Sequence, residues 1–482
     1  MFKKTLLCAS VLALSFGSNP VLASETMTME QIQAQLQSLS NQVQHLSKVV
    51  EEQNSTIQRQ AVELEQAKKE SAQAIQQQAA QLEQAKEESA EAIANIKPAA
   101  GGVDTSAVKI SMKPAPKIES ADGKYSFQPL ARMHLDVTHF DDDASDRSSN
   151  TDIRRARLGA KGKLGDDLSY KAEVDFGGDV VALTDFYLKY SGFGVVDLVA
   201  GHQRPKMGLQ QQTSSNNIRL LERSAPINAL LQGRRLGLNV LAGDDHWSLG
   251  AGVFGAGAGV TNQTDDEDTS IEGRASANVL GLFDPDTKNV VHVGGGYSHR
   301  RLGDNQARFR ARPGTGDGPR IVDTGVIANT DTVDVFGLEA AGVFGPFSAQ
   351  AEYIRSDLSR DSGAQDAKFD GYYVQAGYIL TGETRGYKGK SGKFGGVKPK
   401  KPFNLKDGGI GAVEVVGRIE NLDLNDGGIA GGEVDILTGG VNWHLNNNVR
   451  IMANIISVDS DGNAVVPNDD PTIYSMRTQW NF

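Results

Sequence analysis

Hydrophobic positions along the chain follow three rules in succession. Residues 5–16 form a short apolar run behind Lys3 and Lys4. Between 29 and 96 the apolar residues recur at steps of four and three: Ile32, Leu36, Leu39, Val43, Leu46, Val50, Ile57 and Leu64. That spacing is the seam of an amphipathic helix that pairs with other helices. From 125 onward the period drops to two. Arg132, His134, Asp136 and Thr138 alternate with Ala131, Met133, Leu135 and Val137. Arg155, Arg157, Lys161 and Lys163 alternate with Ala156, Leu158, Ala160, Gly162 and Leu164. Lys171, Glu173 and Asp175 stand against Tyr170, Ala172, Val174 and Phe176. Each run predicts a β-strand with one polar and one apolar face.

The first run reads as an export signal over 1–23. It has a basic start, an apolar core too short to span a bilayer, and Val21-Leu22-Ala23 as a small-residue cleavage site. The chain's single cysteine, Cys8, lies inside it. The mature protein then has none, which excludes disulfide scaffolds and thiolate metal clusters. The segment 24–97 reads as an α-helical coiled coil, with Gln53 and Gln60 at seam positions. LEQAKKESAQAI at 64–75 recurs as LEQAKEESAEAI at 82–93. That spacing equals about five helical turns at 3.6 residues each, so the repeat keeps one face without drift. A single helix with so narrow a stripe needs partners, so the seam implies self-association, in two strands or three. Residues 98–124, with Pro98, Pro114 and Pro116, read as a linker.

Alternation suits a soluble sandwich, whose polar face meets solvent, and equally a membrane barrel, whose polar face lines a wet lumen. The connections separate the two. Tight links fall at 165–167, 191–194, 243–245, 345–346 and 445–448. Longer polar loops lie near 141–150, 204–232, 256–269, 300–331, 357–367, 424–432 and 457–471. Short turns at one end and long loops at the other form the up-and-down pattern of bacterial outer-membrane barrels. The fold expected is therefore all-β, a transmembrane antiparallel β-barrel of about 16 strands over 125–482, preceded by the coiled coil. Its last strand sets Tyr474, Met476, Trp480 and Phe482 on one face, toward outer-membrane lipid. An even strand number puts both termini on the short-turn side, the periplasm, and the coil with them. Its oligomer state should match that of the barrels.

Composition trims the alternatives. A mean hydropathy of −0.36 excludes a helical membrane protein but not a barrel. The formal charge of −11, with pI near 5.3, argues against nucleic-acid partners. GxGxxG at 250–255 lies on a predicted strand with no helix after it, so it is not a dinucleotide site. His134 and His292 lie on polar strand faces and read as lumen residues. Nothing in the sequence calls for a metal or other cofactor, and no nucleophile–base pair of a barrel enzyme stands out.

Particular stretches resemble the phosphate-selective porins O and P. They are RRARLG at 154–159, YKAEVDF at 170–176, DFYLKY at 185–190, GHQRPKMGL at 201–209, TSSNNIRLLERS at 213–224 and GRRLG at 233–237. WSLGAGVFG at 247–255, GLEAAGVFGPFSAQAEYIRSD at 337–357 and the lysine-rich 371–403 add to them. The likeness covers about 125–482 and leaves the coiled coil outside. It implies a sixteen-stranded homotrimeric channel carrying small anions, phosphate above all.

An anion channel must replace hydration with positive potential yet bind weakly enough to release. By alternation, Arg132, Arg155, Arg157 and Arg235 face the lumen, with Lys161, Lys163, Lys171 and Lys189 nearby. A mixed ladder pairing them with Asp136, Glu173, Asp175 and Asp185 is the competing expectation. Two connections look like constrictions. The stretch 204–232 is long, partly apolar (Ile218, Leu220, Leu221, Leu230, Leu231) and carries Arg204, Lys206, Arg219 and Arg223. Apolar loop residues avoid open water, so it should fold inward. The stretch 386–411, on the short-turn side, holds Lys388, Lys390 and Lys393. The resemblance implies that it reaches into the pore. The alternative is a solvated basic loop against anionic lipid or peptidoglycan. A rival role for the whole chain is structural, with the coil joining outer membrane to cell wall.

Overall fold

The computed structural model describes residues 108–482 apart from 113–114, 142–148, 179–180, 259–266, 317, 464 and 467, with isolated helical positions between 37 and 69. The export signal lies outside the described residues, as does the coiled coil apart from those positions.

Sixteen strands run up and down: β1 (Ser126–Asp141), β2 (Asn150–Lys163), β3 (Leu168–Asp175), β4 (Ala182–Phe193), β5 (Val196–Gln203), β6 (Arg235–Gly243), β7 (Trp247–Phe254) and β8 (Thr269–Asn278). They continue as β9 (Val290–Arg301), β10 (Thr330–Phe344), β11 (Phe347–Arg360), β12 (Ala367–Ile379), β13 (Ala412–Asp426), β14 (Ile429–His444), β15 (Val449–Asp461) and β16 (Thr472–Asn481). Each pairs antiparallel with the next, and β16 returns to β1 with Tyr474 opposite His139 and Trp480 opposite Met133. The sheet is closed.

The alternation decides which way the wall faces. On β1, Met133, Leu135 and Val137 are 36–45% exposed, while His134, Asp136 and Thr138 are at most 2% exposed. On β16, Tyr474, Met476 and Trp480 point out while Ser475, Arg477 and Gln479 are buried. Apolar outside and polar inside is the arrangement of a wall standing in lipid. Outward aromatics mark two levels, and on β10 these are Phe336 and Phe344. Their separation along a tilted strand is roughly 20 Å, close to the height of a membrane barrel's apolar band.

Tight turns close one end at 164–167, 194–195, 244–246, 345–346 and 445–448. Departures from the expected pattern have local causes. At the other end the loop expected at 424–432 is a two-residue turn. Gly427 and Gly428 both adopt positive φ (59° and 79°), which lets the twist of β13 and β14 continue through the hairpin. The stretch read as a linker carries an antiparallel ribbon, Val108–Ser111 with Lys117–Ser120, which pairs onto the base of β1 through Ile118 and Phe127. Between β1 and β2 the register slips at His134/Leu135, leaving Arg154 as an extra residue beside Arg155.

Two segments enter the lumen. From the loop end, 204–234 carries helices α1 (Leu209–Gln212) and α2 (Ala225–Leu230) and is tied to the wall through its own backbone. Glu352 accepts the N–H groups of Leu209 and Gln210, both at 2.7 Å, and Glu420 accepts that of Ala225 at 2.7 Å. Arg418 and Arg450 donate to the carbonyls of Glu222 and Ile218 at 3.0 and 2.8 Å. From the turn end comes 380–411. Its Tyr387–Lys388 and Lys393–Phe394 limbs form a hairpin around the Gly389–Ser391 turn.

The loop 302–329 folds over the same end as 204–234. Its Phe309, Ala311, Ile321 and Val322 join Ile227 and Leu230 in one apolar core with Ile354, Phe369, Leu422, Ile436, Ile456 and Ile473 of the wall. Near the loop end, the inner face of β11–β16 is therefore apolar and filled. Polar space is left along the opposite wall.

Candidate functional site

That space is a cavity of about 300 Å³ between the β1–β5 wall and the two inward segments. Strand alternation turns Arg132, Arg155, Arg157, Lys171 and Lys189 toward it. The segment 204–234 adds Arg204, Lys206, Arg223 and Arg234 from its two ends and middle, and 380–411 adds Lys393. Facing these ten cations is one lining carboxylate, Asp185. Neutral donors and acceptors complete it: Gln203, Gln212, Thr213, Ser214, Ser215 and Tyr187.

The wall cations are partly neutralised from behind. Arg157 meets Asp175 at 2.6 Å and Glu173 at 3.2 Å; Lys171 meets Glu173 at 3.4 Å and also Asp185. Asp185 takes Arg234 at 2.6 Å, and Lys189 lies 3.3 Å from Asp197. Glu222, at the centre of 204–234, collects Arg155 at 2.8 Å, Arg477 at 2.9 Å and Arg154 at 3.1 Å. Burial alone would raise the Glu222 carboxyl, but Arg154, Arg155 and Arg477 together hold it well below the usual carboxylate range. The mixed ladder expected from sequence is present on this wall.

Four cations are different. Arg204 and Arg223 spend their donors on backbone carbonyls, of Gln211 for the first and of Gln210 and Thr213 for the second. Among the described residues, Lys206 donates to the side-chain oxygen of Gln212, at 3.3 Å. None of these three, nor Lys393, has a carboxylate within ion-pair distance among the described residues. Burial first, then the charges of Lys393 and Arg274, push the Lys206 ammonium down to about 7. Burial and the neighbouring Lys388 and Lys171 push Lys393 to about 8. Cations packed with like charges and lacking counter-ions bind an anion that enters among them.

The remaining residues expected at the site lie elsewhere. Lys161 and Lys163 line, with Lys171 and Lys189, an adjoining pocket of about 240 Å³ at the turn end. Lys390 is 3.9 Å from Asp197, and Lys388 is exposed beside the cavity rather than in its lining. Arg235 does not reach the cavity; it lies 3.7 Å from Asp268. Arg219 turns to the far wall, where it pairs with Glu414 at 2.8 Å and donates to Ser348. A loop has no periodicity to tell which of its cations face a lumen. His134 and His292 do not line this cavity: both are buried, the first against Arg155 and Asn216, the second between Tyr387 and Glu339. GxGxxG belongs to β7 and the link that follows it. Among the described residues no His, Cys, Asp and Glu group could hold a metal ion.

Sequence reasoning missed Arg154, Arg234 and the row of neutral donors. Arg154 reaches inward only because of the bulge, and Arg234 precedes the first residue of β6, where alternation does not apply. The paired arginines RR at 154–155 and 234–235 were the available signal.

The family described as phosphate-selective porin O and P matches residues 127–482. Porin O of Pseudomonas aeruginosa is 30% identical over 408 residues, which cover 75% of this chain and 90% of that protein. An uncharacterised protein of Caulobacter vibrioides is 30% identical over 395 residues, covering 78% and 77%. Among solved structures, the anion-selective porin from Comamonas acidovorans aligns with a TM-score of 0.49 at 14% identity, over 74% of this chain and 100% of that one. OmpT of Vibrio cholerae aligns with a TM-score of 0.47 at 12% identity, over 74% and 98%.

Proposed function

The chain belongs to the phosphate-selective porin O and P family, and from that premise we propose that its outer-membrane barrel passively conducts phosphate and related small anions through the cavity between the two inward segments. One observation carries the reading: Arg204, Lys206, Arg223 and Lys393 converge on that cavity with no carboxylate in ion-pair distance among the described residues. Phosphate offers several oxygens to several donors. Guanidinium forks, ammonium groups and the hydroxyls of Ser214 and Ser215 supply them at once. Release follows because the path continues to further cations. Lys161, Lys163, Lys171 and Lys189 lie toward the turn end, so an ion leaves one site for another rather than for bare solvent.

The test is a planar-bilayer measurement. Potassium chloride gradients should give a reversal potential of the sign expected for anion preference, and added phosphate should block the chloride current at a lower concentration than sulfate or acetate. A cation-selective channel would end the proposal; absence of phosphate block would reduce it to a general anion pore.

The assembly is part of the same proposal. The seam over 29–64 supports a self-associating coil in the periplasm, in two strands or three, and membership of the porin family favours three, with homotrimeric barrels above it. The same seam favours a second role, a stalk reaching peptidoglycan. Deleting 24–97 separates them: conductance persists in either case, and only a tether loses attachment of the outer membrane to the cell wall.

A further inference from the structure

We propose that Arg274 is the positioning residue for Lys393, the cation that the turn-end segment contributes to the cavity; this rests on the anion-channel reading and names the wall device behind it. Arg274 projects inward from β8 and is buried, yet it does not line the cavity. Its guanidinium holds Glu339 of β10 through Nε at 2.6 Å and Nη2 at 2.7 Å. The same Nη2 donates to the carbonyl of Gly392 at 2.7 Å, and Nη1 lies 3.4 Å from that of Ser391. Glu339 also meets His292 at 3.3 Å, whose other ring nitrogen is 2.7 Å from the Tyr387 hydroxyl. One wall cluster therefore grips both limbs of the hairpin that carries Lys393.

The hairpin tip is shaped for this seat. Gly392 has φ of 49°, and a Cβ there would lie 2.1 Å from the Ser276 oxygen and 2.9 Å from an Arg274 nitrogen. A Cβ on Gly389 would fall 1.6 Å from the Asp245 carbonyl oxygen, in the turn between β6 and β7. The tip thus fits between two wall elements: a side chain at Gly389 would have to displace backbone, and one at Gly392 would push aside the Ser276 and Arg274 side chains. The carbonyl that Arg274 holds belongs to the peptide leading into Lys393, so the tilt of that peptide sets where the ammonium points. Glu339 pairs with Arg274, and what charge remains also bears on Lys206, so Gly392→Ala, which leaves that charge in place, isolates the route through Lys393. A site displaced by about 1 Å through a loose support loses much of its binding.

The experiment uses the full-length channel in planar bilayers and the block of chloride current by inorganic phosphate. Gly392→Ala is charge-neutral and lies outside the strands, so it leaves barrel folding intact; Arg274→Gln removes the donor itself. Both should raise the half-blocking phosphate concentration about tenfold, the scale of one lost charged hydrogen bond. Gly392→Ala should not add to the effect of Lys393→Gln, Arg274→Gln should add only what its charge does to Lys206, and Arg274→Lys, which keeps the charge and a donor, should recover part of the loss. Unchanged block in Gly392→Ala, or full additivity with Lys393→Gln, overturns the assignment. If phosphate did not block the unaltered channel, the proposed function would reduce to a general anion pore. The same variants would then be compared on the chloride-to-potassium reversal potential, which Lys393 also sets. There too, an unchanged Gly392→Ala or full additivity with Lys393→Gln would overturn the role of Arg274.

Discussion

Lys206 and Lys393 reach one cavity from segments that enter the barrel at opposite ends. Each raises the cost of the other's charge, and an anion between them relieves both. Replacing Lys206 by Gln should therefore weaken phosphate block about ten- to a hundredfold, as for a lost hydrogen bond to a charged group of about 1.5–3 kcal/mol. The pair also predicts a pH dependence. Lys206, pushed to about 7 by burial and then by Lys393, is cationic below that value and neutral above it. Chloride-over-potassium preference at fixed salt should fall as pH rises from 6 to 8. Lys393, pushed to about 8, should extend the fall. Chloride is the ion to use, because phosphate itself titrates in this range. Lys206→Arg, which stays charged, should shift the remaining fall toward pH 8. A flat profile between 6 and 8 would remove both lysines from the selectivity mechanism.

At the scale of elements, the strands were legible and the inward segments only in outline. Period-two alternation is imposed by the wall itself, so Met133, Leu135 and Val137 declared their face without any tertiary information. The segment 204–234 declared itself through Leu220, Leu221, Leu230 and Leu231, which water would not tolerate. Its anchoring was hidden. The wall carboxylates Glu352 and Glu420, over a hundred residues away in the chain, accept its N–H groups, and no local pattern encodes that. Arg219 and Arg223 lie one helical turn apart in sequence, yet they face opposite walls because Glu414 captures the first. Arg154 reached inward through a bulge, which alternation by construction misses. Among these anchors Glu222 ties three arginines from β2 and β16 to the loop. Glu222→Ala would strand buried guanidinium groups, costing the docked loop about 3–5 kcal/mol. Limited trypsin digestion of the folded channel should then cut at Arg219 or Arg223, sites protected in the unaltered protein. An unchanged fragment pattern would show that the backbone anchors alone hold the loop.

For the whole molecule, a formal charge of −11 coexists with a lumen cavity lined by cations. The two are compatible because the acids stand elsewhere. On the outward face toward the loop end, Asp334 pairs across the sheet with Asp357, Asp370 with Asp423, and Asp435 with Asp459. Their strand neighbours Val335, Leu358, Phe369, Leu422, Val434 and Val458 are buried on the inner side. These carboxylates repel an approaching anion through solvent, over a distance set by screening. That distance is about 10 Å at 0.1 M salt and about 3 Å at 1 M. In the proposed channel Arg204, Lys206, Arg223 and Lys393 would act at contact, inside the barrel, where screening reaches them least. The two sets therefore respond oppositely to salt. Raising potassium chloride from 0.1 to 1 M should silence the outer acids and leave the inner cations, so permeability ratios from reversal potentials should hold or move further toward chloride. A channel whose selectivity came from surface charge would instead lose it. Collapse to non-selectivity at 1 M would place the anion preference outside the cavity, and with it would go the role given to the four unpartnered cations.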